Sequence, residues 1–208
     1  MTQTQYALDL WNKAWLECLG DKDLTLARVG GRVSKDKPNK EDVGQWQKQG
    51  PAWLEDYIKW RKNNPEWQIW HTDAGVPAIE LELNPIIAGI PVKMGIDRIF
   101  DIGGELVIVD LKTSQSEPKN PLQLGFYKYG IKKTFGIDVK WGSYYMSRTS
   151  GTTSMIDLSW YEDEKIEYLV KQFDKARRAG VFLPNADNCG ICGFTKICQF
   201  TSKRGSAQ

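Results

Sequence analysis

The fold is decided by the stretch MGIDRIFDIGGELVIVDLKT, residues 94–113, which predicts two strands joined by a tight turn. The segment before Gly103 and Gly104 is rich in strand-forming residues, and the glycine pair supplies the turn. The apolar run LVIV, residues 106–109, shows no alternation, which is typical of a strand that is buried on both faces. This second strand is therefore expected to lie inside a covered sheet.

Polar residues interrupt the second strand at its end, where the chain reads Asp110-Leu111-Lys112. Side chains two residues apart on a strand point to the same side, so Asp110 and Lys112 are expected to project together. If the two strands pair, Asp97 reaches the same place. Two carboxylates suit a hard cation such as Mg²⁺, and a neighbouring lysine can orient water or neutralise transition-state charge. The plain alternative is an ion pair at the end of a strand.

Three short motifs together resemble one known family. They are GIDR (residues 95–98), DLKT (residues 110–113) and QLGFY (residues 123–127). This set resembles the PD-(D/E)xK nuclease superfamily, in particular its RecB-like branch, which has Gly-x-x-Asp, Asp-x-Lys and Gln-x-x-x-Tyr. The resemblance implies that Gln123 and Tyr127 border the path of the DNA.

The resemblance also implies roles at the metal site. Asp97 and Asp110 correspond to metal ligands, the Leu111 carbonyl to a further ligand, and Lys112 to the catalytic lysine. The implied fold is an α/β restriction-endonuclease-like core, with a mixed central sheet flanked by helices. The implied activity is hydrolysis of DNA phosphodiester bonds with Mg²⁺ or Mn²⁺.

A third side-chain ligand is harder to find. The RecB-like branch often places a histidine on an early helix, but the helix predicted over residues 52–62 has none. The only histidine, His71, is one candidate, although a lone histidine is more often a surface or packed residue. Glu82 and Glu80, on a strand predicted over residues 78–83, are candidates because some relatives use a glutamate there. An exposed polar strand face is the ordinary explanation of both glutamates.

The composition is that of an ordinary soluble globular protein, with 208 residues, 41% hydrophobic and 26% charged. The net charge of +2 gives no strong overall attraction to phosphate, so basic residues would have to be localised. The 9 Trp, 8 Tyr and 7 Phe include potential stacking platforms for unpaired bases, although most such rings form cores. No apolar segment approaches the length of a membrane span, and no signal peptide is expected at the N-terminus.

The other predicted elements are an exposed loop over residues 30–50, helices over residues 6–19, 122–135 and 159–179, and strands over residues 141–147 and 155–158. The last helix is predicted to begin with a capping box formed by Ser159 and Glu162. A single nuclease domain is expected over residues 1–200, followed by a flexible tail over residues 201–208.

The four cysteines form a second pattern. Three of them, Cys189, Cys192 and Cys198, have the spacing Cys-x2-Cys-x5-Cys, and the fourth, Cys18, lies near the other end. In a cytoplasmic chain such a cluster predicts zinc or an iron–sulfur centre, and spacing alone does not separate the two. Unligated buried cysteines are the plain alternative.

The same layout resembles several RecB-like exonucleases, including AddB-type subunits and the nucleases of CRISPR adaptation modules. Their four cysteines hold a [4Fe–4S] cluster that clamps the two ends of the fold. The resemblance therefore implies a [4Fe–4S] cluster on Cys18, Cys189, Cys192 and Cys198. It also implies a possible recombination or CRISPR-adaptation protein as partner.

The resulting prediction is a metal-dependent DNA exonuclease that prefers single strands and starts from the 5′ end. It is expected to work in the cytoplasm, that of a bacterial host if a phage encodes it, without binding membranes. A non-catalytic DNA-binding or adaptor protein with the same fold is one alternative, favoured by the missing motif histidine. A structure-specific endonuclease is another. The residues themselves do not predict polarity or oligomeric state.

Overall fold

The computed structural model describes residues 2–20, 43–182, 197, 198 and 200. Within this part of the chain the helices are α1 (Gln3–Leu19), α2 (Val43–Asn63), α3 (Leu122–Phe135) and α4 (Asp163–Arg178). The strands are β1 (Gln68–Ile69), β2 (Ile79–Leu83), β3 (Ile86–Ile87), β4 (Ile90–Pro91), β5 (Met94–Ile102), β6 (Glu105–Lys112), β7 (Trp141–Met146), β8 (Gly151–Thr152) and β9 (Ile156–Asp157). In the described part of the chain, no helix is long and apolar enough to cross a bilayer.

The chain forms two compact units, one of residues 1–54 and 181–208 and the other of residues 55–180. In the first unit, a Cβ at Gly50 would lie only 2.0 Å from a ring carbon of Trp11, so α1 packs directly on the backbone of α2. Gly50 belongs to residues 43–50, which form the first part of α2, although an exposed loop was expected there. The expected single domain and the tail stay predictions, and the tail lies outside the described residues.

The second unit is built on a mixed seven-stranded sheet. Its path runs β1-β5-β6-β7-β8, with β2 paired to β5 and β9 paired to β7. β5 and β6 are antiparallel, whereas β6 and β7 are parallel and are connected through α3. Parallel neighbours need such a crossover connection. The mixed sheet with its helices is consistent with the expected restriction-endonuclease-like fold.

The turn between β5 and β6 is the predicted glycine pair. Gly103 and Gly104 have φ of +65° and +93°, a left-handed conformation that residues with a Cβ rarely adopt. The Asp101 carboxylate accepts a hydrogen bond of 2.7 Å from the Gly104 N–H and closes the turn. The hairpin that decides the fold is therefore fixed by local chemistry.

The sheet buries a different set of side chains on each side. What we call the α3 face includes Ile99, Ile108, Tyr144, Leu124 and Ile166, because α3 and α4 contribute to its core. What we call the aromatic face consists of Trp67, Phe100, Val107, Val109 and Tyr145, with Tyr57 and Trp60 packed against them. Both faces of β6 are covered, as its unbroken apolar run predicted.

Two helices test the predicted boundaries. α3 begins and ends where its periodicity predicted. α4 begins at Asp163, one turn later than predicted, so the expected capping box is wrong. Ser159 donates its side-chain hydrogen bond to Asp157, and the N-cap residue Glu162 makes no side-chain capping bond. The Ser159 hydroxyl therefore stabilises the preceding turn and not the helix.

Candidate active site

A row of polar side chains crosses four strands on the α3 face. The pairs on either side of Glu80 place it opposite Asp97 in the β2–β5 register. One step beyond the last β5–β6 pair, Asp97 lies opposite Asp110, and Asp110 is paired with Tyr144 on β7. Residues opposite one another in a sheet project on the same side. The register therefore brings Asp97 and Asp110 together, as their spacing predicted.

Asp110 is the most buried carboxylate of the row, with only 2% of its surface exposed. It forms an ion pair with Lys112, the residue two positions along β6. Burial raises the pKa of the Asp110 carboxyl, and the nearby Asp97 and Glu80 charges raise it further, while Lys112 opposes both effects. Asp110 is thus a buried acid whose ionised form needs a cation beside it.

Asp97 is held by the main chain of the neighbouring strand. Its Oδ2 accepts a hydrogen bond of 2.7 Å from the Leu111 N–H. A carboxylate anchored through one oxygen has a fixed orientation, and its other oxygen remains able to bind a second group. Leu111 therefore orients Asp97 through its backbone N–H. Its carbonyl oxygen is the one that the sequence predicted as a metal ligand.

Lys112 is positioned from α3. Its ammonium donates a hydrogen bond of 3.1 Å to the Gln123 carboxamide oxygen, and the Gln123 amide nitrogen donates one of 2.7 Å to the Tyr127 hydroxyl. Burial is the main cause that raises the pKa of Tyr127, which keeps that hydroxyl protonated. The second and third motifs thus form one connected chain from Asp110 to Tyr127, and the Asp97–Leu111 hydrogen bond joins the first motif to it.

The two glutamates of β2 have different surroundings. Glu80 has a left-handed φ of +49°, and its carboxylate lies 3.3 Å from the Arg98 guanidinium. Its charge contributes to the raised pKa of Asp110, so it acts on the same site. Glu82 forms an exposed ion pair of 3.0 Å with Lys93. The register therefore favours Glu80 over Glu82 as the third carboxylate.

His71 lies between β1 and β2 in an exposed position. Its Nδ1 is 3.0 Å from the Ile69 carbonyl oxygen, which satisfies one of its two ring nitrogens. Its role as a metal ligand stays a prediction, as does that of Glu82.

The donor set can be compared with the needs of a hard cation. Over residues 2–20 and 43–182, the side chains include no group of three or more His, Cys, Asp or Glu close enough to hold a metal. Mg²⁺ commonly uses one or two protein carboxylates and takes its other ligands from water and substrate phosphate. Asp97, Asp110 and the Leu111 carbonyl fit that requirement.

The cysteine pattern is only partly described. Cys18 is exposed in the last turn of α1, Cys198 is half-buried, and both are free thiols. Cys189 and Cys192 lie outside the described residues. The iron–sulfur cluster therefore stays a prediction.

The residues alone did not predict a role for Tyr144. It is buried beside Asp110, its ring centroid lies 5.8 Å from the Lys112 ammonium, and burial raises the pKa of its hydroxyl to about 12. The Tyr144 ring therefore packs beneath the Lys112 ammonium. The parallel pairing of β7 with β6 places it there, and nothing in the local sequence fixes that register.

Comparison with known proteins shows the family to which this chain belongs. A model of the PD-(D/E)XK nuclease superfamily matches residues 7–199, so the chain belongs to this superfamily. Membership indicates a nuclease, a hydrolase of nucleic acid.

Two phage proteins are similar to this chain. The Gene 69 protein of Mycobacterium phage D29 is 33% identical over 138 residues, which cover 63% of this chain and 51% of the relative. The Gene 69 protein of Mycobacterium phage L5 is 34% identical over 129 residues, 59% of this chain and 44% of the relative. The chain spans about half the length of these curated relatives. Their source is consistent with a phage origin.

Proposed function

We propose that this protein is a Mg²⁺- or Mn²⁺-dependent deoxyribonuclease that acts as an exonuclease on single-stranded DNA. The observation that carries the proposal is the convergence of Asp97, Asp110 and Lys112 at one end of a buried sheet. Membership in the nuclease superfamily supports it. The polarity and the strand preference rest on the resemblance to RecB-like exonucleases.

In this proposal Asp97, Asp110 and the Leu111 carbonyl hold the cation. The bound ion supplies Lewis-acid stabilisation of the scissile phosphate and lowers the pKa of water. Lys112 orients the nucleophile and screens negative charge that develops on the phosphate oxygens. Gln123 holds the lysine ammonium at 3.1 Å, and Tyr127 in turn holds Gln123. The role of α3 is thus to position Lys112.

The proposal is tested with purified protein and end-labelled DNA, with and without Mn²⁺. Mononucleotides or short products released from a linear single strand only with Mn²⁺ are the expected result. A labelled circular single strand separates the alternatives, because an exonuclease leaves it intact, an endonuclease opens it and an adaptor only retards it. Retardation of all substrates without cleavage would replace the enzyme by the adaptor.

The proposed direction of digestion is from the 5′ end. Duplexes with a single-stranded overhang at one end only provide the test. Loss of the 5′ overhang with the 3′ overhang intact is expected, and the opposite result would reject this polarity.

The proposed cofactor is a [4Fe–4S] cluster on Cys18, Cys189, Cys192 and Cys198. Because Cys18 lies far along the chain from the other three, a shared centre would restrict the unfolded chain strongly, as a long disulfide loop does. The protein should be yellow-brown and absorb near ~400 nm, as clusters bound by four thiolates do. Cys18→Ala should bleach it. Colourless anaerobic protein with stoichiometric zinc would instead identify a structural zinc site.

The cellular setting is also a proposal. The similarity to two phage proteins supports action in a bacterial host cytoplasm, on DNA alone or together with a recombination or CRISPR-adaptation protein. Co-purification of a tagged copy from phage-infected cells, with nuclease-treated lysate as control, is the measurement that tests a protein partner.

A further inference from the structure

A cavity lined by residues at the starts of α3 and α4 has an aromatic lining that the proposed mechanism does not use. Its volume is about 540 Å³, a size that suits a small ligand or part of a larger one. The lining residues used in the argument below are Leu122, Trp160, Tyr161, Glu164, Lys165 and Tyr168, and we call the cavity the aromatic pocket. Trp160 is 72% exposed and Tyr168 61%, although both belong to residue types that a fold normally covers.

The aromatic pocket and the candidate active site both use residues from the first turn of α3. Leu122 lines it, and the next residue of α3, Gln123, holds Lys112. Tyr161 packs so closely on α3 that a Cβ at Gly125 would lie 2.4 Å from its ring. One turn of α3 therefore presents residues to both places. A strand whose phosphate lay at Lys112 would have neighbouring nucleotides within reach of the pocket.

The charges in the aromatic pocket suit a base better than a phosphate. The Glu164 carboxylate lines the cavity and opposes entry of a second anion. The Lys165 ammonium lies over the Trp160 ring, 3.8 Å from its centroid, and is held there by a hydrogen bond of 3.1 Å to the Trp160 carbonyl and an ion pair of 3.2 Å with Glu162. The cation occupies one face of the ring, and because 72% of Trp160 is exposed the ring can still stack on a base.

We propose that the aromatic pocket binds an unpaired nucleobase of the DNA strand whose phosphate lies at Lys112. This inference rests on the proposed nuclease function and gives it a physical source of strand preference. Every base has a flat face that stacks on an exposed ring, so the subsite needs no particular sequence. Bases of a duplex are already paired and stacked, and bringing one into the pocket costs the energy of unpairing. The pocket therefore selects single strands.

The test pairs Trp160→Ala with Phe173→Ala. Phe173 lies on α4, the helix that follows Trp160, and is 67% exposed, but it is not among the residues that line the pocket, so it is a matched control. We expect Trp160→Ala to weaken binding of a labelled single-stranded oligonucleotide about tenfold, which is the scale of one base–aromatic stack. Phe173→Ala and Trp160→Phe should bind like the wild type. Comparable thermal melts should show that the variants are folded.

A substrate change makes the test specific for a base. A series of oligonucleotides is used, each carrying a single abasic site at a different position along the strand. One register should weaken binding to the wild type by the same factor as Trp160→Ala, and the variant should be insensitive to that change. Equal sensitivity of the wild type and Trp160→Ala in every register would overturn the proposal. Unchanged binding in Trp160→Ala would do so as well, and would leave the pocket to another occupant.

Failure of this inference is distinguishable from failure of the proposed function. Binding is measured in Lys112→Ala with Ca²⁺, and cleavage is measured in the wild type with Mn²⁺. Absence of cleavage in the wild type removes the nuclease, while the abasic effect in the binding experiment still decides the pocket. Cleavage that depends on Lys112, together with single-strand binding that does not depend on Trp160, supports the nuclease and rejects the pocket.

Discussion

The two faces of the central sheet use the same strands for different purposes. On the aromatic face, Phe100 contacts Trp60 and Trp67 with ring centroids 6.1 and 5.5 Å apart, and the interactions are edge-to-face. On the α3 face, the apolar core ends in Asp110 and Lys112. Neighbouring residues of β6, Val109 and Asp110, therefore belong to different environments.

The difference shows how a sheet carries a charged site without losing its core. Strand alternation sends the acids to one side only, so the other side can be closed by large rings. Edge-to-face ring pairs add about 0.5–1.5 kcal/mol each beyond the burial of their area. The aromatic face can thus supply rigidity while the α3 face carries groups that destabilise the fold.

Lys112→Ala should have the largest effect on activity. Loss of a positioned charge from the reacting phosphate is expected to lower the cleavage rate by about 10³-fold, on the scale of removing one oxyanion-hole donor. Because Lys112 lies beyond the apolar run of β6 and Asp110, whose pKa is raised by burial, can take up a proton when its partner is lost, the melting temperature should change little. The measurement is release of labelled nucleotide with Mn²⁺. Lys93→Ala, which removes a lysine paired with Glu82, is the control. Full activity in Lys112→Ala would remove the assigned mechanism.

Phe100→Ala should show the opposite behaviour. Phe100 is 1% exposed, and truncation of such a buried ring costs about 3–5 kcal/mol of folding free energy. The rate per folded molecule should be retained, because Phe100 belongs to the aromatic face and the row of acids to the α3 face. Urea unfolding combined with activity titration measures both quantities. The exposed side chain of Ile86 provides a control truncation. A comparable loss of rate in the folded fraction would show that the two faces are not separable.

Substitution of the two glutamates of β2 should have a smaller effect on activity, and the effect should differ between them. Glu80→Gln should lower activity about tenfold, as loss of a residue that supports a metal site does, whereas Glu82→Gln should change it less than about twofold. The reason is the register, which brings Glu80 but not Glu82 to the row of acids. Titration of Mn²⁺ should place the Glu80 effect in metal affinity. If Glu82→Gln gives the larger loss, the assignment of the third carboxylate is reversed.

The smallest expected effect is that of Asp110→Asn on stability, although on activity the loss of this proposed metal ligand should lower cleavage as strongly as Lys112→Ala does. Burial raises the pKa of Asp110, so the folded protein binds that proton more tightly than the unfolded chain. Ionisation therefore costs stability above the raised pKa, and the cost is absent in acid below the ordinary pKa of a carboxyl. The variant should melt above the wild type at neutral pH, with the difference vanishing in acid.

If Asp110 binds the ion, added Mn²⁺ should make the wild type melt above Asp110→Asn. A ligand that binds only the folded state raises its stability, and the variant would lose that gain. Melting curves at two pH values, each with and without Mn²⁺, measure both effects. An Asp110→Asn protein that melts below the wild type at neutral pH without metal would contradict the stated sign.

Much of the site was predictable because it depends on local rules. Alternation along β6 placed Asp110 and Lys112 on one side, and helical periodicity gave the bounds of α3. The glycine turn fixed the register that joins Asp97 to Asp110. Each of these features is written within a few residues of sequence.

The features that sequence did not predict depend on contacts between distant segments. The pairing of Asp110 with Tyr144 requires a parallel register that the crossover through α3 sets. The left-handed φ of Glu80 breaks an alternation that looked regular. The helical state of residues 43–50 goes with packing of Trp11 on Gly50, from another helix. The residues next to each of these features do not by themselves predict it.

The hydrogen bond from the Leu111 N–H to Asp97 offers a spectroscopic reporter of the site. Its length of 2.7 Å is that of a strong amide–carboxylate bond, which moves the amide proton resonance downfield. A cation that shares the negative charge of Asp97 would weaken this bond and shift the resonance back. The Leu111 amide proton in a uniformly ¹⁵N-labelled sample would then report metal occupancy by NMR, without any mutation in the site.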